Sequence, residues 1–182
     1  VRTSTIAPSS RFDIWVNLIP GLEDAPFSML VESQNGVPTV SERAMYTKDF
    51  VAGHVTTGLT ADATRWGFAE GIEHGHYGTF FRTFYLFANS TATPAAITGT
   101  FYREDGTGIV RSFAIGPNSR FTLPASFYPE LSNQKFAAFF ESTNGTPVIV
   151  ERAVYWDDSF FGAHASPGTP WPTGAIAIPP AP

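Results

Sequence analysis

The sequence predicts an all-β protein, an antiparallel β-sandwich of immunoglobulin-like type built from repeats of about 109 residues. Three observations lead there. One stretch occurs twice without a gap: Val1–Gly53 aligns on Val110–Gly162 with 21 identities in 53 positions. Turn residues recur at short intervals, with Pro and Gly dividing segments rich in aromatic and β-branched residues. Apolar spacing of three and four, the mark of an amphipathic helix, is sustained nowhere.

The elements follow in order. Thr79–Ala88 (TFFRTFYLFA) is a strand by composition, and Ala95–Arg103 follows it after the turn residues Asn89–Pro94. Asp105-Gly106 centres a hairpin turn from which Ile109–Ile115 returns. Gly116-Pro117-Asn118 turns the chain into a strand starting at Arg120–Leu123. Lys135–Ser142 and Pro147–Trp156 are joined by Thr143-Asn144-Gly145, and Asn35-Gly36 repeats this hairpin signal in the first copy. The clearest repeated segment reads FSMLVESQNGVPTVSERAMY over Phe27–Tyr46 and FAAFFESTNGTPVIVERAVY over Phe136–Tyr155.

The expected domains are residues 1–58, the C-terminal half of a repeat; 59–166, a complete repeat of about seven strands; and 167–182, a Pro-rich tail. Half a sandwich exposes an apolar face and unpaired strand edges. Three arrangements resolve this: an upstream piece, a different domain phase, or strands from a neighbouring subunit. The chain opens at Val1, within the repeat, as a processed protein or a piece of a longer one would. In the tail, Gly174–Ile178 alternates as a donated strand would, whereas the surrounding prolines read equally as a linker.

Composition narrows the function. With 43% apolar residues the chain can bury a core, and its net charge of −5 with few Lys argues against nucleic acid and anionic membrane surfaces. The absence of Cys excludes disulfides, thiolate metal sites and a Cys nucleophile. No apolar run approaches the roughly 18 residues of a membrane span. There is no G-x-S-x-G, P-loop or dinucleotide fingerprint, so neither an enzyme nor a cofactor is expected.

RWGFAEG (Arg65–Gly71), FFRTFYLFANSTATPAAITGTFYREDG (Phe80–Gly106), PNSRFTL (Pro117–Leu123) and PVIVERAVYW (Pro147–Trp156) together resemble a bacterial extracellular tandem-repeat β domain of unknown function. Its copies run W-x-F-A-E-G, an aromatic strand, S-R-x-T, then P-I-V-x-E-R-A-M-Y-W. The resemblance spans nearly the whole chain, since Glu42–Tyr46 (ERAMY) carries it in the first copy. It implies a secreted or surface-anchored setting and brings no activity or cofactor. Ser90 departs from the usual Pro, and the tail lacks a further W-x-F-A-E-G.

Several side chains stand out. Glu42-Arg43 and Glu151-Arg152 recur at one repeat position inside a strand, where alternation puts Glu and Arg on opposite faces. One charge then meets a mostly apolar layer and needs a partner, for which Glu70 and Arg120 are the candidates. This reads as a structural ion pair before a carboxylate site. Glu73, His74 and His76 form a weak candidate for a metal such as Zn or Ni, against the plainer reading of a polar loop. His54 and His164, close behind Gly53 and Gly162, suggest a packing role. Trp66, Tyr77, Tyr85, Tyr102 and Trp156 are aromatics that a sandwich uses mostly as core, whereas Trp15 and Trp171 are less easily placed there and are candidates for stacking on a ligand or interface. Asn89 and Asn144 open N-x-T sequons in expected turns.

The sequence therefore points to a non-enzymatic, bacterial-type surface protein that forms a fibre or filament by end-to-end association of its units, with inter-subunit strand complementation. Its partners are copies of itself or tandem neighbours. A carbohydrate-binding or adhesive module, with polysaccharide as partner, is the alternative.

Overall fold

The computed structural model describes residues 1–47, 50–157 and 161–171. The fold is an all-β sandwich of antiparallel sheets. Its strands are β1 (Glu42–Tyr46), β2 (Gly53–Thr57), β3 (Arg65–Ile72), β4 (His74–His76), β5 (Thr79–Asn89) and β6 (Ala95–Arg103). They continue with β7 (Gly108–Ile115), β8 (Ser119–Pro124), β9 (Lys135–Ser142), β10 (Ile149–Trp156), β11 (Gly162–Pro167) and β12 (Thr169–Pro170). One sheet runs β11-β10-β5-β4, with β8 on the same edge of β5 as β4. The other runs β12-β3-β9-β6-β7. β1 and β2 form a hairpin of their own.

Period-two alternation decides which side chains face inward. Tyr85 and Phe87 of β5, Leu123 of β8 and Val150 of β10 meet Trp66 and Phe68 of β3, Ile97 and Phe101 of β6 and Phe136 and Phe140 of β9. Their rings meet mostly edge to face, Tyr85 and Phe140 at 4.8 Å and Phe87 and Phe140 at 4.9 Å between centroids. The indole N–H of Trp66 donates to the carbonyl of Val148 at 2.9 Å, so this buried ring carries no unmet donor.

Gly71 marks a close approach. A shift of register in the β3–β9 ladder falls between Phe68 and Gly71. A Cβ at Gly71 would lie 2.3 Å from the ring of Phe136, so this side chain can seat only against a glycine.

Residues cluster into two units, Val1–Leu30 and the part from Val31 onward. The sandwich does not stop at Ser166, because Thr169 and Pro170 pair with Gly67 and Trp66 of β3. The start of the tail thus adds a strand to the chain's own sheet. The segment Gly174–Ile178 lies outside the described residues.

The first copy keeps the turns of the second and, of its ladders, the β10–β11 hairpin as β1–β2; the others are not formed among the described residues. Ser10 Oγ donates to the Ala7 carbonyl at 2.7 Å, as Ser119 Oγ does to Gly116 at 2.8 Å. Ser9 and Asn118, at one repeat position, both have positive φ (53° and 46°). The 3-10 turn Val16–Leu18 matches Ala125–Phe127. Ser33 Oγ meets Asn35 Oδ1 at 3.0 Å, and Ser142 Oγ meets Asn144 Oδ1 at 3.0 Å. In the second copy β7 pairs with β6, β8 with β5, and β9 with both β3 and β6. The sequence holds the Arg65–Arg103 half once and the half that follows it twice, and among the described residues the segment 1–41 joins no sheet. Ile6, Phe12 and Val31 are exposed accordingly, whereas Ile115 and Phe140, at the positions of Ile6 and Val31, are buried.

Candidate functional site

The repeated Glu-Arg pair lies on the hairpins β1–β2 and β10–β11. Alternation along β10 sends Val150, Arg152 and Val154 inward and Glu151 and Tyr155 outward. Arg152 is a buried charge, 7% exposed at the end of the core, and it ends on Glu70 of β3. One guanidinium nitrogen is 3.0 Å from Glu70 Oε2, and another donates to the Glu70 carbonyl. His164 Nε2 approaches the same Oε2 at 3.7 Å. Across the ladder His164 faces Val154, one pair along from Arg152 on the same side of the hairpin. Glu70 itself is largely exposed, so only the cation of the pair is desolvated.

The first hairpin presents the same residues to a different surface. His54 faces Met45, the repeat equivalent of Val154, so the two histidines match in space although their sequence offset differs by one. Arg43 pairs with Glu151 on the outer face of the second copy's sheet. His54 Nε2 and Tyr155 Oη are 3.2 Å apart. Burial, then the charges of Arg43 and His164, lower the His54 pKa to about 4, so the ring is neutral at pH 7. Burial raises Glu151, and the Arg43 charge pulls the other way. Arg120 lies near both; burial and then the Arg43 charge lower its pKa, and it donates to Thr122 Oγ1 at 2.8 Å. Glu42 points outward and forms no ion pair with a described residue.

The second polar group lies where β3 turns into β4. Glu73 is 1% exposed, with Oε1 accepting from the Thr83 amide at 2.8 Å. Oε2 has no hydrogen-bond partner, and burial lifts the carboxyl to about 7 despite the Thr83 amide and the Arg82 charge. Thr83 Oγ1 also bridges Ile72, accepting from its amide at 3.0 Å and donating to its carbonyl at 2.7 Å. Tyr85 Oη and Arg152 Nε, from residues paired across β5 and β10, are likewise buried without a partner.

The histidines beside Glu73 do not converge with it on a metal site. His74 adopts positive φ (60°) and binds Ser132 Oγ at 2.7 Å, and the Glu73 carboxyl turns inward to Thr83. No group of three or more metal-type ligands assembles among the described residues. The segment is a strand, not a loop, paired with the start of β5.

The aromatics divide. Trp66 and Tyr85 are core and unavailable for stacking. Trp171 lies on the outer face of the β3 sheet, its ring 4.5 Å from that of Phe139 and closing over Gly67. Tyr102 extends the row, 5.8 Å from Phe139. Trp15 is 67% exposed in the unit Val1–Leu30. Tyr77 carries Lys135 over its ring at 4.7 Å.

One sequon expectation is corrected. Asn89 closes β5 with its side chain buried, donating to Thr93 at 2.8 Å and Gly116 at 2.9 Å, so its amide is not free to carry a glycan. Asn144 is exposed in its turn, yet its amide donates to the Pro94 carbonyl at 2.8 Å. The capping role of Asn89 and the burial of Glu73 were not read from sequence, because both depend on contacts between distant segments.

No protein-family model matches the chain, and no curated protein sequence does. Among solved structures the chain is similar to a protein from Thermotoga maritima, described as Thermotoga maritima 1070. Identity is 22% over 63% of this chain and 98% of that one, with a TM-score of 0.53. It is also similar, at 17% identity and a TM-score of 0.42, to the Anabaena sensory rhodopsin transducer, over 52% of this chain and 91% of that one. The first likeness is one of fold. No helix among the described residues is long and apolar enough to cross a membrane.

Proposed function

We propose that the protein is an extracellular structural repeat protein whose β-sandwich units associate end to end into a surface fibre or filament, with strands exchanged between subunits. The observation that carries this reading is the first copy: its turns are formed, its core-position side chains are exposed, and among the described residues its segment 1–41 joins no sheet. Unsatisfied strands with a fixed local shape favour ordered association with another β-sheet. Electron microscopy of the native material tests it. Filaments with an axial repeat of one or two sandwich lengths are expected, and a monodisperse monomer would sink the reading.

A carbohydrate-binding or adhesive module is the second reading, favoured by the row Trp171, Phe139 and Tyr102 on the outer face of the β3 sheet. Polysaccharide affinity electrophoresis with Trp171→Ala tests it; retardation that survives the substitution would count against this row as the platform.

A further inference from the structure

We infer that Asn35-Gly36 is a site of spontaneous covalent modification, where the chain loses the Asn35 side-chain amide through a succinimide, and that the fold withholds the same reaction from Asn144-Gly145.

The chemistry needs only this dipeptide and water. The backbone nitrogen of Gly36 attacks Asn35 Cγ and gives up its proton to solvent. The Cγ–Nδ2 bond breaks, and Nδ2 takes a proton and leaves as ammonia. The product is a five-membered cyclic imide. Water opens it at Cγ to aspartate, or at the main-chain carbonyl to isoaspartate, which routes the backbone through the side chain and lengthens it by one methylene. Either product carries one further negative charge. Glycine in second place favours the attack, since no side chain shields its nitrogen and its backbone turns freely.

The repeat places this dipeptide in two turns of one shape. Gly36 and Gly145 have φ of 74° and 76°. Gly36 donates its amide to the Ser33 carbonyl and Gly145 to that of Ser142, both at 3.4 Å. Each bond is longer than a well-formed N–H···O bond, so neither nitrogen is firmly held. Both asparagines are exposed, so access of water does not separate them either.

The difference lies in the hold on the asparagine side chain and on the backbone that carries it. Asn144 Oδ1 accepts from the Ala96 amide at 3.1 Å, and Nδ2 donates to the Pro94 carbonyl at 2.8 Å. Its turn is anchored as well, since the Ser142 amide donates to Thr64 and the Thr143 amide to Ala96, both at 2.8 Å. Swinging Cγ onto the Gly145 nitrogen breaks both side-chain bonds and pulls against those anchors. Asn35 has neither restraint. Its Oδ1 accepts only within its own turn, from Ser33 Oγ at 3.0 Å and from the Val37 amide at 3.3 Å, and Nδ2 donates to no described residue. Residues 31–41 belong to no strand among the described residues, and nothing lies within 4 Å of where a Gly36 Cβ would stand. The ring can close here without disturbing a sheet.

The test incubates the native chain at mildly alkaline pH and follows both sites by peptide mapping, with electron-transfer fragmentation to tell isoaspartate from aspartate. Conversion at Asn35 is expected to be at least about tenfold faster than at Asn144, where local opening must first break the bonds to Ala96 and Pro94. In guanidinium chloride that unfolds the chain the two rates should converge, because the dipeptide is then the same in both places. Asn35→Gln, which cannot close a five-membered ring, should remove the acidic species that isoelectric focusing otherwise shows first. Equal or faster conversion at Asn144 in the native chain would overturn the inference. So would a difference between the sites that persists in denaturant, or an acidic species that accumulates unchanged in Asn35→Gln.

Discussion

Arg43 and Arg152 occupy one position of the repeat, 109 residues apart, and each ends on a glutamate of a different kind. Arg152 points into its own sandwich and takes Glu70. Arg43, whose repeat has no W-x-F-A-E-G strand in this chain, lies on the outer face of the second copy and takes Glu151. The same hairpin face therefore serves as a core seal in one copy and as a docking surface in the other.

The buried pair should respond asymmetrically. Glu70→Gln leaves the Arg152 guanidinium desolvated without its counter-charge and should cost about 2–3 kcal/mol. Arg152→Met removes the buried charge and leaves Glu70 in water, so it should cost less than about 1 kcal/mol. Urea unfolding of the two variants checks the order, and a larger loss for Arg152→Met would contradict it.

Glu73 should impose a pH dependence on stability. Its folded pKa, about 7, is raised from 4.5, so its contribution is fully present below pH 4.5 and is lost as pH rises through 7. The shift corresponds to on the order of 3 kcal/mol. Glu73→Gln should flatten the stability profile between these values, read by denaturant titrations at several pH values.

His54 acts with the opposite sign. Its folded pKa, about 4, is lowered from 6.5 by burial and by Arg43 and His164, so its contribution is present above 6.5 and is lost as pH falls through 4. Amide protection factors in β1 and β2, corrected for the slowing of intrinsic exchange, should fall on acidification before those in β5 or β9 do. In His54→Phe, which cannot take a proton, this step should vanish.

Gly71 admits no side chain. Gly71→Ala would drive a methyl into the ring of Phe136 and should lower stability by about 1–3 kcal/mol, seen as a drop in Tm. Gly75, with open space where its Cβ would stand, should accept Ala at little cost.

Strands β5, β6, β7 and β9 were legible because composition, alternation and turn residues agree over each of them. β10 and its opposed Glu and Arg faces were legible for the same reason. β3 and β4 were not read as strands: Arg65–Ile72 carries two glycines and a register shift, and His74–His76 is a three-residue edge held only by the start of β5. The burial of Glu73 and Asn89 was hidden as well, since sequence shows a polar residue near a turn and cannot show which distant backbone will take its hydrogen bonds.

The sequence by itself determined the repeat, the all-β class, most strand limits and the local turns, because these depend on residues a few positions apart. The first copy makes this plain, since its turns form even where no sheet surrounds them. Only the tertiary structure decided which strands have partners, that Arg43 takes Glu151 while Arg152 takes Glu70, and that Glu73 keeps a carboxyl oxygen buried without a hydrogen bond, 4.0 Å from His74 Nε2. Those outcomes turn on long-range hydrogen-bond ladders and on desolvation, and both depend on which surfaces meet.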